Sequence, residues 1–169
     1  MAEKKWVAGW GAATSVISQN HTEYFKDQTF RYSFFPTMNG EKVRLHFSNR
    51  YGDESATLTK ASIALSAGSH RIVAETSVPV TFNGGETSLT LLPGQEDIVS
   101  DEIAFPVEAG KDFTVSLYFA GLTKIMTGHS NNGPYIKKYY ARGELTEAPE
   151  IPLEVLGENG PYVFLNTID

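Results

Sequence analysis

Hydrophobic and polar residues alternate over short stretches along this chain, which is the pattern of half-buried β-strands. In the stretch 40–55, apolar residues occupy every second position of one such strand, namely Val43, Leu45 and Phe47. An Asn-Gly turn signal precedes this strand, and a polar turn follows it. We therefore treat this stretch as the central element of the predicted fold.

The same alternation predicts about ten short strands, whereas no window shows a helical period over about eleven or more residues. Turn residues separate the strands about every eight to twelve residues, which is typical of β-sandwiches and barrels. We predict an all-β fold, a two-sheet antiparallel β-sandwich of the jelly-roll type, in one domain spanning residues 1–169. Besides 43–48, the predicted strands are 5–13, 29–35, 57–66, 70–75, 78–82, 87–92, 102–107, 112–119, 136–142 and 162–169.

Three local features follow from the pattern. The segment 36–40 should turn the strand 29–35 directly into the next strand and so form a hairpin. Trp6 and Trp10 are four residues apart, so they should lie on one face of an extended segment and anchor the core. The segment 127–134 is rich in glycine, serine and asparagine and should be a loop.

The composition is that of an ordinary globular domain. Apolar residues make up 41% and charged residues 20% of the 169 residues, which is enough to bury a sizeable core. The formal net charge of −6 gives no electrostatic reason to bind nucleic acid or an anionic membrane. The chain contains no cysteine, which excludes disulfides, thiolate catalysis and cysteine-ligated metals.

Targeting signals are weak. No apolar run approaches the roughly 18 residues of a membrane span, so no span is predicted. The basic residues near the N-terminus are not followed by the apolar region of a signal peptide. The compartment is unknown on this basis, and the cytoplasm is slightly favoured.

Motifs for catalysis or metal binding are also weak. The run Gly52–Ser55 is close to the Gly-Asp-Ser block of an esterase, but Glu54 interrupts it and we interpret it as a turn. No serine lies in a GxSxG elbow, and the four histidines lack metal-binding spacings. Oxygens of Asn49, Asp53 and Glu54 could ligate calcium, but we favour solvated turn acids. We predict no catalytic, cofactor-binding or metal-binding residue, although a Ser-His-Asp arrangement of distant residues stays open.

Binding residues are predicted in two polar segments, the loop 127–134 and the turn 48–55. Loops of this kind commonly present binding groups. The candidates for contact with a substrate or a partner domain are His129, Asn131, Asn132, Tyr135, Asn49 and Tyr51.

Nine motifs spread along nearly the whole chain add a further indication. They are Trp6-Val7-Ala8-Gly9-Trp10, Gln28-Thr29-Phe30-Arg31, Val43-Arg44-Leu45, Phe47-Ser48-Asn49-Arg50-Tyr51-Gly52, Ala61-Ser62-Ile63-Ala64, Val80-Thr81-Phe82-Asn83-Gly84, Val99-Ser100-Asp101, Val115-Ser116-Leu117-Tyr118 and Thr127-Gly128-His129. Together they resemble the β-sandwich domain that precedes the catalytic domain in a group of bacterial SGNH (GDSL-type) esterases and lipases.

The resemblance implies a jelly-roll, galactose-binding-like sandwich that is an accessory domain of an ester hydrolase. Its partner would be the SGNH catalytic domain of the same protein, and the parent reaction would be hydrolysis of an ester, such as an acyl group on a carbohydrate. In such proteins the catalytic Gly-Asp-Ser block follows the region that matches Tyr162–Asp169, and no counterpart of that block is present here. We therefore expect a non-catalytic domain that packs beside the catalytic domain and shapes its cleft.

Three other functions stay open on the sequence. A stand-alone carbohydrate-binding module would expose two or three coplanar rings, because sugar faces stack on aromatic side chains. An independent enzyme would hydrolyse an ester unaided, and a purely structural interface domain would expose an apolar patch. The rings considered for stacking are Tyr24, Phe25, Tyr118, Tyr135, Tyr139 and Tyr140.

Overall fold

The computed structural model describes residues 3–17, 23–130 and 137–169, and the fold of these residues is all-β. The one helical element among them is a short 3-10 helix at Ala74–Thr76. The strand pairs they form are antiparallel. The predicted all-β class is therefore confirmed, and the sheets are compatible with a β-sandwich. The jelly-roll connectivity stays a prediction.

The described residues form seventeen strands, many of them only two or three residues long. In chain order they are β1 (Trp10–Gly11), β2 (Ser15–Val16), β3 (Tyr24–Phe25), β4 (Gln28–Phe34), β5 (Leu45–Phe47), β6 (Ala56–Leu58), β7 (Lys60–Leu65), β8 (Val78–Pro79), β9 (Leu89–Leu91), β10 (Ile98–Val99), β11 (Phe113–Phe119), β12 (Thr123–Lys124), β13 (Thr127–His129), β14 (Lys137–Arg142), β15 (Gly157–Glu158), β16 (Tyr162–Val163) and β17 (Leu165–Ile168).

The largest sheet is built around the two longest strands, β4 and β11. They pair from Phe34 opposite Phe113 to Gln28 opposite Phe119. The order of the six-stranded sheet is β15-β14-β4-β11-β7-β8. The two strands with the clearest alternation in the sequence thus occupy the centre of the sheet.

A four-stranded sheet with the order β1-β17-β5-β10 contributes to the same core. Leu45 and Phe47 of β5 are fully buried and belong to one apolar cluster with Phe30 and Val115 of the larger sheet. The inward face predicted for this strand is confirmed. The predicted hairpin is wrong, because β4 pairs with β11 and β14 whereas β5 pairs with β17 and β10. The chain between β4 and β5 therefore passes from one sheet to the other.

The loop predicted over 127–134 is wrong in its first three residues. Thr127–His129 form β13, the central strand of a small sheet with the order β16-β13-β2. A side chain at Gly128 would obstruct this pairing, since a Cβ there would lie 2.2 Å from the Tyr162 carbonyl oxygen. Residues 131–136 lie outside the described part of the chain.

Phe164 divides the last predicted strand into β16 and β17. Its φ of 61° is in the left-handed region, which bulky residues rarely adopt. The Phe164 amide donates to the Thr127 carbonyl at 3.1 Å, and its own carbonyl accepts from the Ser48 amide at 2.8 Å. These two hydrogen bonds hold the unusual conformation and join the small sheet to the four-stranded sheet.

The polar face of β4 is buried as well as its aromatic face. Thr29 and Arg31 are 0% exposed and Ser33 is 6% exposed. The segment 143–151 covers part of this face, and Thr29 Oγ1 donates to the Gly143 carbonyl at 2.7 Å. The strand is therefore shielded on both sides, as expected at the centre of a covered sheet.

The guanidinium group of Arg31 hydrogen-bonds the covering segment 143–151 to the sheet. Nη1 donates to the His70 carbonyl at 2.7 Å, and Nη2 donates to the carbonyls of Leu145 and Ala148 at 2.6 and 2.9 Å. Nε donates to Ser116 Oγ at 3.2 Å. Burial lowers the pKa of Arg31 to about 10, so the group is still charged at neutral pH. Its charge is met by carbonyl dipoles.

We expect Arg31→Lys to lower the free energy of unfolding by about 2–4 kcal/mol, because an ammonium group lacks the planar fork and leaves buried carbonyls unpaired. Urea unfolding followed by circular dichroism measures this loss. The matched control is Arg71→Lys, since Arg71 is half-exposed and pairs with Glu150 at the surface. It should change the stability by less than about 0.5 kcal/mol. Equal losses in both variants would contradict the role given to Arg31.

Candidate functional site

An open cleft of about 640 Å³ lies where β4 ends and β11 begins. Its volume is within the range of small-molecule sites. Buried or half-buried apolar residues line it, namely Trp10, Phe34, Pro36, Val43, Val107, Phe113 and Ile168. Four further apolar side chains lining it are exposed: Trp6 (39%), Val7 (53%), Phe35 (67%) and Met38 (42%). Exposed apolar patches of this kind mark binding surfaces, so the cleft is the strongest candidate for a functional site.

The two walls of the cleft are held by main-chain hydrogen bonds. In the wall formed by residues 4–10, the Gly9 amide donates to the Ile168 carbonyl at 2.8 Å. In the wall formed by residues 35–40, Gly40 and Val107 exchange both main-chain hydrogen bonds, at 2.9 and 2.8 Å. These bonds attach one wall to β17 at Gly9 and the other wall to Val107 at Gly40.

Trp6 stands at the end of a chain of charged contacts. The guanidinium carbon of Arg44 lies 3.8 Å from the centroid of the Trp6 ring, a cation–π contact. Arg44 Nη2 donates to Asp169 Oδ2 at 2.6 Å. His46 contacts the same oxygen through Nε2 at 2.9 Å and Asp97 Oδ1 through Nδ1 at 2.9 Å. The position of one cleft wall is therefore tied to an ion-pair network.

Both ring nitrogens of His46 face carboxylate oxygens, and only the protonated imidazole can donate to both. Burial lowers the pKa of His46, but the hydrogen bonds and charges of Asp169 and Asp97 raise it more, so the pKa is above its ordinary value of 6.5. Burial raises the pKa of Asp169, but the hydrogen bonds from His46 and Arg44 outweigh it and the pKa is lowered. The network therefore favours the charged forms of His46 and Asp169.

The stability given by His46 should depend on pH. Because the folded-state pKa of His46 is raised, its contribution is fully present below the unfolded pKa of about 6.5 and is lost as the pH rises through the folded value. The difference in free energy of unfolding between the wild type and His46→Gln, measured from about pH 5 to about pH 9, should decline across that window. In an Asp97→Asn background, one of the two carboxylates that contact His46 is absent, so the same difference should decline less with pH. A difference that does not change with pH would contradict the contacts described.

The core position predicted for both tryptophans is wrong for Trp6. The ring of Trp10 packs on the rings of Phe34 and Tyr162, with centroid distances of 4.8 and 5.0 Å. Trp6 lies in the segment before β1, outside the residues that pair with β17. Trp6 therefore has the right spacing but lies at the surface, beside Arg44. The sequence signal that was missed is the presence of the apolar residues Phe35 and Met38 in a segment otherwise typical of a turn.

Asn49 is buried, and its side chain binds main-chain carbonyls of the protein itself. The contact role predicted for it stays a prediction. Only 1% of the surface of Asn49 is exposed. Nδ2 donates to the carbonyls of Glu54, Leu91 and Leu92 at 3.0, 3.3 and 3.3 Å. The amide closes the turn after β5, because a buried polar group in a turn must find main-chain partners.

Gly52 gives a test of this packing. A Cβ added there would lie 2.0 Å from Asn49 Oδ1, so Gly52→Ala should displace the Asn49 amide and lower the free energy of unfolding by about 1–3 kcal/mol. Thermal or urea unfolding measures the change. Gly121→Ala is the control, since nothing lies within 4 Å of a Cβ there and its φ is not positive. If the two alanine variants were equally stable, the packing of Asn49 against Gly52 would be refuted.

Of the other predicted contact residues, the structure describes Tyr51 and His129. Tyr51 is 37% exposed, and its amide donates to Thr127 Oγ1 at 3.0 Å. His129 is half-buried, its Nδ1 bonds the Ala13 carbonyl at 3.1 Å, and its ring stacks on Tyr162. The predicted residues Asn131, Asn132 and Tyr135 lie outside the described residues.

The rings considered for sugar stacking have other surroundings in the described part of the chain. Phe25 is buried, and Tyr118, Tyr139 and Tyr140 are half-buried. Tyr24 is 41% exposed, and its hydroxyl donates to Glu54 Oε1 at 2.8 Å. Tyr135 lies outside the described residues.

The acidic turn considered for calcium binds a lysine. Lys124 Nζ lies 2.8 Å from both carboxylate oxygens of Asp53 and 3.9 Å from Glu54 Oε1. In residues 3–17, 23–130 and 137–169, no group of three or more histidine, aspartate or glutamate side chains is arranged to hold a metal ion. The interpretation as turn acids fits these ion pairs.

The described histidines are not paired with a serine. His46 contacts two aspartates, His70 Nδ1 accepts from the Ile151 amide at 3.2 Å, and His129 contacts a carbonyl. Nucleophilic serine catalysis needs a base within hydrogen-bonding reach of the hydroxyl. No such pair is present in the part of the chain that the structure describes.

No helix among the described residues is long and apolar enough to cross a membrane. Comparison of the chain with protein-family models and with curated proteins finds no match. The resemblance to the SGNH accessory domains therefore stays a prediction based on the motifs in the sequence.

Proposed function

We propose that this chain is a non-catalytic accessory domain of an SGNH-type ester hydrolase, and that its cleft faces the catalytic domain of that enzyme. The observation that carries the proposal is the exposed apolar cleft bordered by Trp6, Val7, Phe35 and Met38. An accessory domain that packs beside a catalytic domain needs such a surface, because interfaces bury apolar groups at their centre.

The polar rim of the cleft also suits a surface that is partly covered. Lys4 pairs with Glu41 at 2.5 Å, and Lys42 pairs with Glu102 at 2.5 Å. Exposed pairs of this type contribute little to stability. They place alternating charges around an apolar centre, which is the usual anatomy of a specific interface.

A stand-alone carbohydrate-binding module is the second candidate, and one observation favours it. The Trp6 ring is exposed and is backed by the Arg44 guanidinium at 3.8 Å. A tryptophan ring held in this way is a platform on which a sugar face can stack. This candidate predicts saccharide binding by the chain on its own.

The first test is to sequence the gene downstream of the Asp169 codon, where the proposal expects a Gly-Asp-Ser block. In the longer protein, hydrogen–deuterium exchange should then be slower at the amides of residues 6–10 and 35–40 than in this chain alone. The covered cleft excludes water from these amides. The amides next to Leu122, which is 68% exposed and lies at the opposite end of β11, serve as the control and should exchange equally in both proteins.

Two results would contradict this proposal. One is a longer protein in which the cleft amides exchange as fast as they do in the isolated chain. The other is hydrolysis of a p-nitrophenyl ester by this chain alone, because the proposal assigns it no catalytic residue.

A further inference from the structure

The cleft offers few free polar groups. Most polar side chains that line it are already paired within the protein: Lys4 with Glu41, Lys42 with Glu102, Asp169 with Arg44, and Asn39 Oδ1 with the Ala109 amide. In the described residues, the buried side-chain atoms without a partner are Arg44 Nε, Ser77 Oγ and Asn166 Oδ1, and none of these residues lines the cleft. The polar groups of the cleft therefore lie at its rim, and its floor offers a ligand mainly apolar surface.

The cleft also lacks a preferred charge. The ionisable side chains that line it are three lysines and three carboxylates, namely Lys4, Lys5, Lys42, Glu41, Glu102 and Asp169, so their formal charges cancel. An anionic or cationic ligand would gain no net attraction from such a rim. The binding energy available is that of burying apolar surface against the aromatic and aliphatic lining.

An apolar floor, paired rim groups and cancelling charges together select one class of ligand. We infer that the cleft binds an uncharged aliphatic chain, such as the acyl chain of a neutral ester. The walls at residues 4–10 and 35–40 would lie on either side of the chain, with Trp6 and Phe35 in contact with its methylene groups. That this aliphatic ligand belongs to the ester substrate of an attached catalytic domain rests on the function proposed above. The binding of an aliphatic ligand in the cleft does not rest on it.

The protein carries its own reporter for this site. Its two tryptophans, Trp6 and Trp10, both line the cleft. Tryptophan fluorescence of the chain, titrated with methyl, hexyl, octyl and decyl glucosides below their micelle concentrations, therefore measures occupancy directly. The head group is constant in this series, and each added methylene should tighten binding by up to about fourfold, the effect of burying one CH₂ group.

A charge placed in the cleft should weaken the binding of the alkyl chain. Met38→Glu should weaken octyl glucoside binding by at least about tenfold, because the carboxylate is costly to desolvate against the chain. Leu122→Glu is the matched control: Leu122 is 68% exposed, does not line the cleft, and its replacement should leave the affinity unchanged. Val7→Glu is a second cleft variant should Met38→Glu fold poorly, since Val7 is 53% exposed.

Three results would overturn the acyl-chain site. They are an affinity that does not depend on chain length, a fluorescence change with methyl glucoside equal to that with octyl glucoside, and no change with any member of the series. The second result would indicate a saccharide site instead. Cleft amides protected in the longer protein without chain-length dependence would overturn this inference alone, and chain-length dependence without protection would overturn only the proposed domain contact.

Discussion

The buried charge of Arg31 is the constraint on which the outer half of this fold depends. A guanidinium group that is fully removed from water has to be met on every side by acceptors, and here three carbonyls and one hydroxyl meet it. The carbonyls come from His70 and from the segment 145–148, so neither segment can leave the sheet without exposing or orphaning the charge. One side chain on β4 therefore determines where two irregular segments lie.

The strands at the centre of the sheet could be predicted because their pattern is local. β4 and β11 alternate apolar and polar residues, and period two is enough to identify them. The burial of their polar faces could not be predicted, because the covering segment 143–151 has no period of its own. The hairpin between β4 and β5 was wrongly expected for a related reason: a turn signal such as Asn39-Gly40 shows that the chain bends but not which sheet it joins.

The cleft could not be predicted from a sequence pattern for a different reason. It combines residues 4–10, 35–40 and 168–169, which are far apart in the sequence and come together only through sheet pairing. Asn49 illustrates a second difficulty, since a polar residue in a turn suggests exposure, whereas its side-chain amide is buried and donates to main-chain carbonyls. A polar residue in a loop is either an exposed binding group or a buried side chain that hydrogen-bonds the main chain of the turn. The sequence alone does not distinguish these two cases.

The pairing of β1 with β17 has a consequence for biosynthesis. Trp10 lies opposite Ile168, so the first strand of the described chain cannot find its partner until the ribosome has released residues that come more than 150 positions later. Contacts between such distant residues slow folding and leave apolar segments uncovered meanwhile. The segment that precedes β1 and carries Trp6 therefore stays without this pairing until β17 has been synthesised.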